Sequence, residues 1–214
     1  MIKLFLDIET IPGDESLRDR IGAEIKPPPR ITKEASLRKW AEEQKSADVE
    51  EEYRQTALQG LWGRIICIGY LREDSYDETE GVITGSEYDI LVAFWQLVED
   101  ADLFIGFNIL DFDLKFTIQR SIINSVRPSQ TLSFARFRSE PVYDVMWEWE
   151  RWGNRRTSLD TLARALGVET PKDGIDGSKV YDYYREGKLQ DIYKYCLRDV
   201  RATREIYRRM NFLQ

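Results

Sequence analysis

Three short stretches place acidic residues where apolar ones are expected. In LFLDIETIP, residues 4–12, Asp7 and Glu9 interrupt an apolar run. At i and i+2 of a strand they project from one face. A buried carboxylate is costly unless something offsets its charge. The plain alternative is a strand leaving the core with its acids already in water. Against it, TIP continues apolar, and two like charges side by side repel. In NILDFDLKF, residues 108–116, Asn108 and Asp111 have the spacing of a helix cap and its N3 partner. Asp113 then falls in the first turn. Acids at a helix start suit the helix dipole without any chemistry; of the two, Asp111 is the better cap and Asp113 the better ligand. In IYKYCLRDVRATREIY, residues 192–207, Asp199 falls on an apolar stripe of Ile192, Tyr195, Cys196, Ile206 and Tyr207. An acid on the buried face of a helix needs a partner. A metal ion shared with the other acids is one; an arginine is another. Tyr195, one turn earlier, faces the same way, and its plain role is core packing. Asp144 and Asp160 carry weaker signals, as a strand-end acid and a helix-start acid. Lys172, Asp173 and Lys179 read as loop surface.

The composition narrows the chemistry. The 214 residues contain no histidine, which removes Ser-His and Cys-His couples, an imidazole base and the common zinc sites. Acid–base or metal chemistry then rests on carboxylates, tyrosine, lysine or backbone, and hard oxygen ligands favour Mg²⁺ or Mn²⁺. Cys67 and Cys196 sit in apolar periodic segments and read as core thiols, not as a disulfide or a metal pair. The net charge of −7 argues against a general nucleic-acid coat, yet residues 151–164 and 198–209 are locally basic. No apolar stretch is long enough for a bilayer and no secretory signal opens the chain, so a cytoplasmic protein without membrane contact is expected.

The elements that must position these residues follow from periodicity. Residues 2–8 read as a buried strand with Leu4, Leu6 and Ile8 on one face and Phe5 on the other, ended by Pro12 and Gly13. Residues 13–61 read as an insertion: KPPPR at 26–30 as an extended spacer, then a charged helix from about Ser36 to Leu58. Leaving directly after Asp7 and Glu9, it is placed to cap or shape a cleft. Strands are expected at 64–71, 81–84, 103–108 and 141–146, and helices at 86–99, 111–124, 158–166, 178–186 and 189–210. This order gives one α/β domain, 1–214, with a mixed five-stranded sheet flanked by helices. Ligands gather near the carboxyl ends of such strands, where Asp7, Glu9 and Asn108 lie.

DIET at 7–10, NILDFD at 108–113 and YCLRD at 195–199 resemble, in order and placement, the three motifs of the DEDD superfamily of 3′–5′ exonucleases. The tyrosine of the third motif resembles the tyrosine subclass (DEDDy). The chain as a whole is similar to stand-alone exonucleases, often bacterial or phage-borne, related to the proofreading domain of family B DNA polymerases. The resemblance implies a ribonuclease H-like fold. It implies that Asp7, Glu9, Asp113 and Asp199 hold two divalent ions, Mg²⁺ or Mn²⁺, and that Tyr195 orients, or helps to deprotonate, the attacking water. Asn108, Phe112 and the backbone near Thr10 and Ile11 would contact the 3′-terminal nucleotide. Trp152 is a candidate for stacking, with Arg151, Arg155 and Arg156 near phosphates. The expected substrate is a single-stranded 3′ end, DNA ahead of RNA, releasing nucleoside 5′-monophosphates; the expected partner is a polymerase or another replication or repair protein. Two rivals share parts of the pattern. A phosphatase of haloacid dehalogenase type also ends a strand in two acids, but needs a later acid pair that is missing here. An inactive nucleic-acid-binding relative would keep the fold, but such relatives usually lose a ligand, and all five residues stand.

Overall fold

A computed structural model describes residues 1–170 and 175–213; the expectation for Lys172 and Asp173 lies outside the described residues. The sheet is built on β1 (Lys3–Ile11), which pairs antiparallel with β2 (Arg64–Glu73) and parallel with β4 (Leu103–Gly106). With β3 (Glu78–Thr84) and β5 (Val142–Asp144) at the edges, the order is β3-β2-β1-β4-β5. The five strands are therefore mixed, antiparallel on one side of β1 and parallel on the other.

The near-continuous apolar character of β1 follows from its central place, because both faces are covered. On one face Leu4, Leu6 and Ile8 pack with Ile90, Leu91 and Phe94 of α4 (Glu87–Leu97) and with Leu114 and Phe116 of α5 (Asp113–Ile123). Ser86 caps α4, its Oγ accepting the Asp89 N–H at 3.2 Å. On the other face Phe5 packs with Leu162 of α7 (Leu159–Ala165) and with Val200, Ile206 and Tyr207 of α9 (Leu189–Met210). A buried ion pair locks the first face: Arg120 of α5 meets Glu87 at 2.7 Å, and Glu87 also accepts the Ile65 N–H of β2 at 2.8 Å.

β1 runs three residues beyond the expected end at Ile8. Pairing with β2 resumes after a bulge between Glu9 and Thr10 and continues to Ile11, opposite Arg64. Asp7 and Glu9 thus lie inside the strand and not at its tip. Residues 13–61 form α1 (Leu17–Glu24), α2 (Glu34–Glu43), α3 (Lys45–Gln55) and a 3₁₀ turn, Thr56–Leu58. The expected single helix from 36 to 58 is broken at Gln44, and Trp40 and Asp48 bond across the break at 2.7 Å. The Tyr53 hydroxyl donates to the Gly13 carbonyl at 2.9 Å, and Arg54 pairs at 2.7 Å with Asp182 of α8 (Val180–Arg185). The expected strand 141–146 turns after Asp144 into α6 (Val145–Trp149). Among the described residues, no helix is long and apolar enough to cross a membrane.

Candidate active site

Along the α9-facing side of β1 the residues read Phe5, Asp7, Glu9, Ile11. Phe5 belongs to the cluster around α7 and α9, and Ile11 to a separate cluster with Tyr53, Tyr181 and Ile192. The two acids occupy the gap between these clusters. Glu9 is buried and Asp7 half-buried.

α9 lies close against this gap because β2 carries Gly69 opposite Asp7. A Cβ on Gly69 would meet Cys196 Sγ at 2.9 Å and Val200 Cγ2 at 3.2 Å. This approach brings Cys196 to the Asp7 carbonyl, which accepts the thiol at 3.4 Å. One turn on, Asp199 enters the gap, buried, and Tyr195 hydrogen-bonds to it. Cys67 and Cys196 are both free and buried. One ligand atom each of Asp7, Glu9 and Cys196 lie within 4.8 Å of one another.

Asp113 reaches the gap around the open edge of β1. β4 pairs with β1 only through Lys3, Leu4 and Phe5. Beyond them the edge is unpaired, and the Ile8 N–H donates instead to Asp113 Oδ1 at 3.0 Å. The loop that delivers Asp113 is fixed by Asp144, which accepts the N–H groups of Asn108 and Leu110 at 3.1 Å and those of Met146 and Trp147 at 3.1 and 3.2 Å. Asp144 thus caps α6 and clamps the turn after β4, including Asn108 with its φ of 60°. Asp144 does more than end a strand, and its position, an acid closing an apolar strand just before a further apolar run, is the mark in the sequence of that role. Asp111 does not cap α5. It bonds Trp147 Nε1 at 3.2 Å and Arg156 at 3.3 Å.

The four carboxylates repel one another. Burial pushes Asp7 well above the ordinary carboxylate range, and the charges of Asp113, Asp199 and Glu9 push it further. Burial does the same to Glu9, followed by Cys67, Asp199 and Asp113. Burial lifts Asp113 to about 7 against the Ile8 N–H, and Asp199 to about 7 against the Tyr195 bond and the Arg198 charge. Among the described residues no lysine or arginine forms an ion pair with any of the four. Of the arginines left open as partners for Asp199, Arg198 contributes a favourable charge but no bond to Oδ1. Asp199 Oδ1 is sealed from solvent and has no hydrogen-bond partner among the described residues. A buried, unpaired acceptor among like charges fits a hard divalent cation, which would reverse the sign of each local interaction.

The expected substrate contacts lie differently. Thr10 and Ile11 are buried; the Thr10 hydroxyl donates to the Ala57 carbonyl at 2.7 Å, and both backbones pair with β2. Phe112 is half-buried in a cleft of about 240 Å³ shared with Leu58 and Leu61. Trp152 stacks parallel on Trp147 at 5.7 Å, with Phe137 at 5.2 Å from its ring. Arg155 is exposed, whereas Arg156 bonds Asn108 Oδ1 at 3.2 Å.

Comparison with known proteins adds two findings. Residues 55–214 match the family described as predicted 3′-5′ exonucleases related to the exonuclease domain of PolB. The match contains Asn108, Asp113, Tyr195 and Asp199; Asp7 and Glu9 precede it. The uncharacterized protein MJ0365 of Methanocaldococcus jannaschii is 29% identical over 163 residues, covering 72% of this chain and 89% of its own.

Proposed function

The chain belongs to this family of predicted 3′-5′ exonucleases, and from that premise we propose that it is a divalent-metal-dependent 3′–5′ exonuclease of the tyrosine-bearing DEDD subclass. It would remove nucleoside 5′-monophosphates from single-stranded 3′ ends, DNA ahead of RNA, alongside a polymerase or another replication or repair protein. The observation that carries the reading is the convergence of four repelling carboxylates from β1, α5 and α9, Asp7 half-buried and the other three buried, with Asp199 Oδ1 unpaired.

Asp7, Glu9, Asp113 and Asp199 would hold two ions, Mg²⁺ or Mn²⁺. When bound, such ions lower the pKa of an attacking water and offset charge on the leaving 3′ oxygen. The protein's own groups do the rest. Asp113 has Oδ1 committed to the Ile8 N–H, which fixes its carboxylate plane and leaves Oδ2 for the site. The Tyr195 phenol is pushed up by burial and then by Asp199, Glu9 and Asp7. In the metal-free site it stays protonated; with ions bound, which offset the carboxylate charges, its hydroxyl would orient the attacking water or help to deprotonate it. Asn108, held by the Asp144 clamp, and Phe112 border the place of the terminal nucleotide. Leu58 and Leu61, 60% and 61% exposed, let the 13–61 segment wall the same cleft.

The test is 5′-labelled single-stranded DNA and RNA incubated with Mg²⁺, Mn²⁺ or EDTA. A ladder shortening from the 3′ end, absent in EDTA and in Asp7→Ala and Asp199→Ala, is expected. Undiminished cleavage by Asp199→Ala would overturn the assignment.

A further inference from the structure

A second cleft, of about 320 Å³, opens on the other side of Lys115 and Gln119 from the one at Phe112. The two clefts share Asp111, Lys115 and Gln119, so they form consecutive steps along the first turns of α5, starting at Asp113. The wall of the second is aromatic: Phe134, Trp147 and Trp152 line it. Trp147 and Trp152 are parallel within 9°, and Phe134 is 39% exposed.

Its charge is opposite to that of the whole molecule. Arg136 and Arg156 lie over the Trp147 ring at 5.4 and 4.4 Å. Asp111 holds both guanidinium groups, at 3.6 and 3.3 Å, and also receives the Trp147 indole N–H. Lys115 is exposed and forms no ion pair among the described residues. Three cations thus face one carboxylate on a chain of net charge −7. Flat rings bordered by fixed cations suit a nucleobase with phosphates on either side. Arg156 also bonds Asn108, in the turn that precedes Asp113 and α5.

We propose that this second cleft is a nucleobase-binding subsite for a nucleotide upstream of the 3′ end, with the base against the Phe134–Trp152 wall and flanking phosphates met by Lys115 and Arg136. The subsite rests on the exonuclease reading for its direction, from the acids outward along α5. It grips through ring faces and backbone charge, so it accepts any base sequence. It also sets a minimum length: a dinucleotide reaches only the Phe112 cleft, whereas a longer strand spans both.

The test compares thymidine oligonucleotides of two and eight residues, bound in Ca²⁺ and followed by the fluorescence of the wall tryptophans. The wild-type protein is set beside Phe134→Ala and Arg136→Gln, exposed positions whose folding is checked by circular dichroism. The ratio of octamer to dinucleotide affinity should fall about tenfold in each variant. An unchanged ratio, or no octamer binding by the wild type, overturns the subsite. A lowered ratio in a protein that never shortens labelled strands with Mg²⁺ or Mn²⁺ would retain the subsite and reject the exonuclease reading. Strand shortening with an unchanged ratio would do the reverse.

Discussion

Replacing Asp199 by Asn should stabilise the metal-free protein while abolishing its activity. In the folded protein burial lifts Asp199 from its ordinary 3.8 to about 7, roughly three pH units at about 1.4 kcal/mol each. The ceiling is therefore about 4 kcal/mol at pH 8. Asp7, Glu9 and Asp113 share the repulsion and relax when it is removed, so about 2 kcal/mol is the expected gain. For a chain of this size that is a rise in Tm of about 4–8 °C. The sign follows from linkage. The folded carboxyl binds its proton more tightly than the unfolded one, so wild-type stability falls as pH rises from about 4 to about 7. The advantage of the Asp199→Asn variant is thus full above pH 7 and shrinks toward pH 4. The new amide's carbonyl still accepts from Tyr195, and its N–H groups give the neighbouring acids a donor. The assay is thermal melting in EDTA across this pH range, repeated with Mn²⁺. Mn²⁺ should raise the wild-type Tm at pH 8 and the variant Tm much less. A variant less stable than wild type in EDTA at pH 8 would refute the argument that unbalanced charge resides at this site.

Three further outcomes follow from the packing. Gly69→Ala should cost about 1–3 kcal/mol in urea denaturation and lower kcat more than it raises KM, because the new methyl meets Cys196 and Val200 and displaces the helix that carries Asp199 and Tyr195. Asp144→Ala leaves four N–H groups without their acceptor and should cost about 3 kcal/mol or more by the same measurement, with Asp144→Asn recovering part. Tyr195→Phe should bind Mn²⁺ by calorimetry within about twofold of wild type while cleaving roughly 10²-fold more slowly, the loss of one hydroxyl that positions the attacking water or takes its proton.

The alternation of Leu4, Leu6 and Ile8 against Phe5 is legible because a central strand must satisfy two cores at once, and the break in that pattern at Asp7 and Glu9 is equally visible. Asp199 is legible for the same reason, as an acid on the stripe of an amphipathic helix. What periodicity cannot convey is reach across chain distance. Nothing near Asp113 in sequence reveals that β4 stops short and leaves an edge of β1 for it. Asp113 bonds the edge of β1 and Asp111 does not, and the role of Asp111 depends on Trp147 and Arg156, far along the chain. Likewise Arg155 and Arg156 are indistinguishable as letters, and only a loop following the left-handed residues Arg151 and Trp152 turns Arg156 toward Asn108. The break at Gln44 is bridged by the Trp40–Asp48 bond, a pairing that helical periodicity alone does not reveal.

The central position of β1 has a consequence for how the chain is made. β1 emerges from the ribosome first among the strands, yet its partner β4 and the covering helix α9 follow long after it. Its pairing is thus dominated by contacts distant in the chain, the kind that forms slowly, and until α9 arrives the Phe5 side of the sheet is bare and prone to association. The acids share that schedule. In order of synthesis Asp7 and Glu9 come first, Asp113 follows and Asp199 is the last of the four, so the acids cannot come together until α9 has been made.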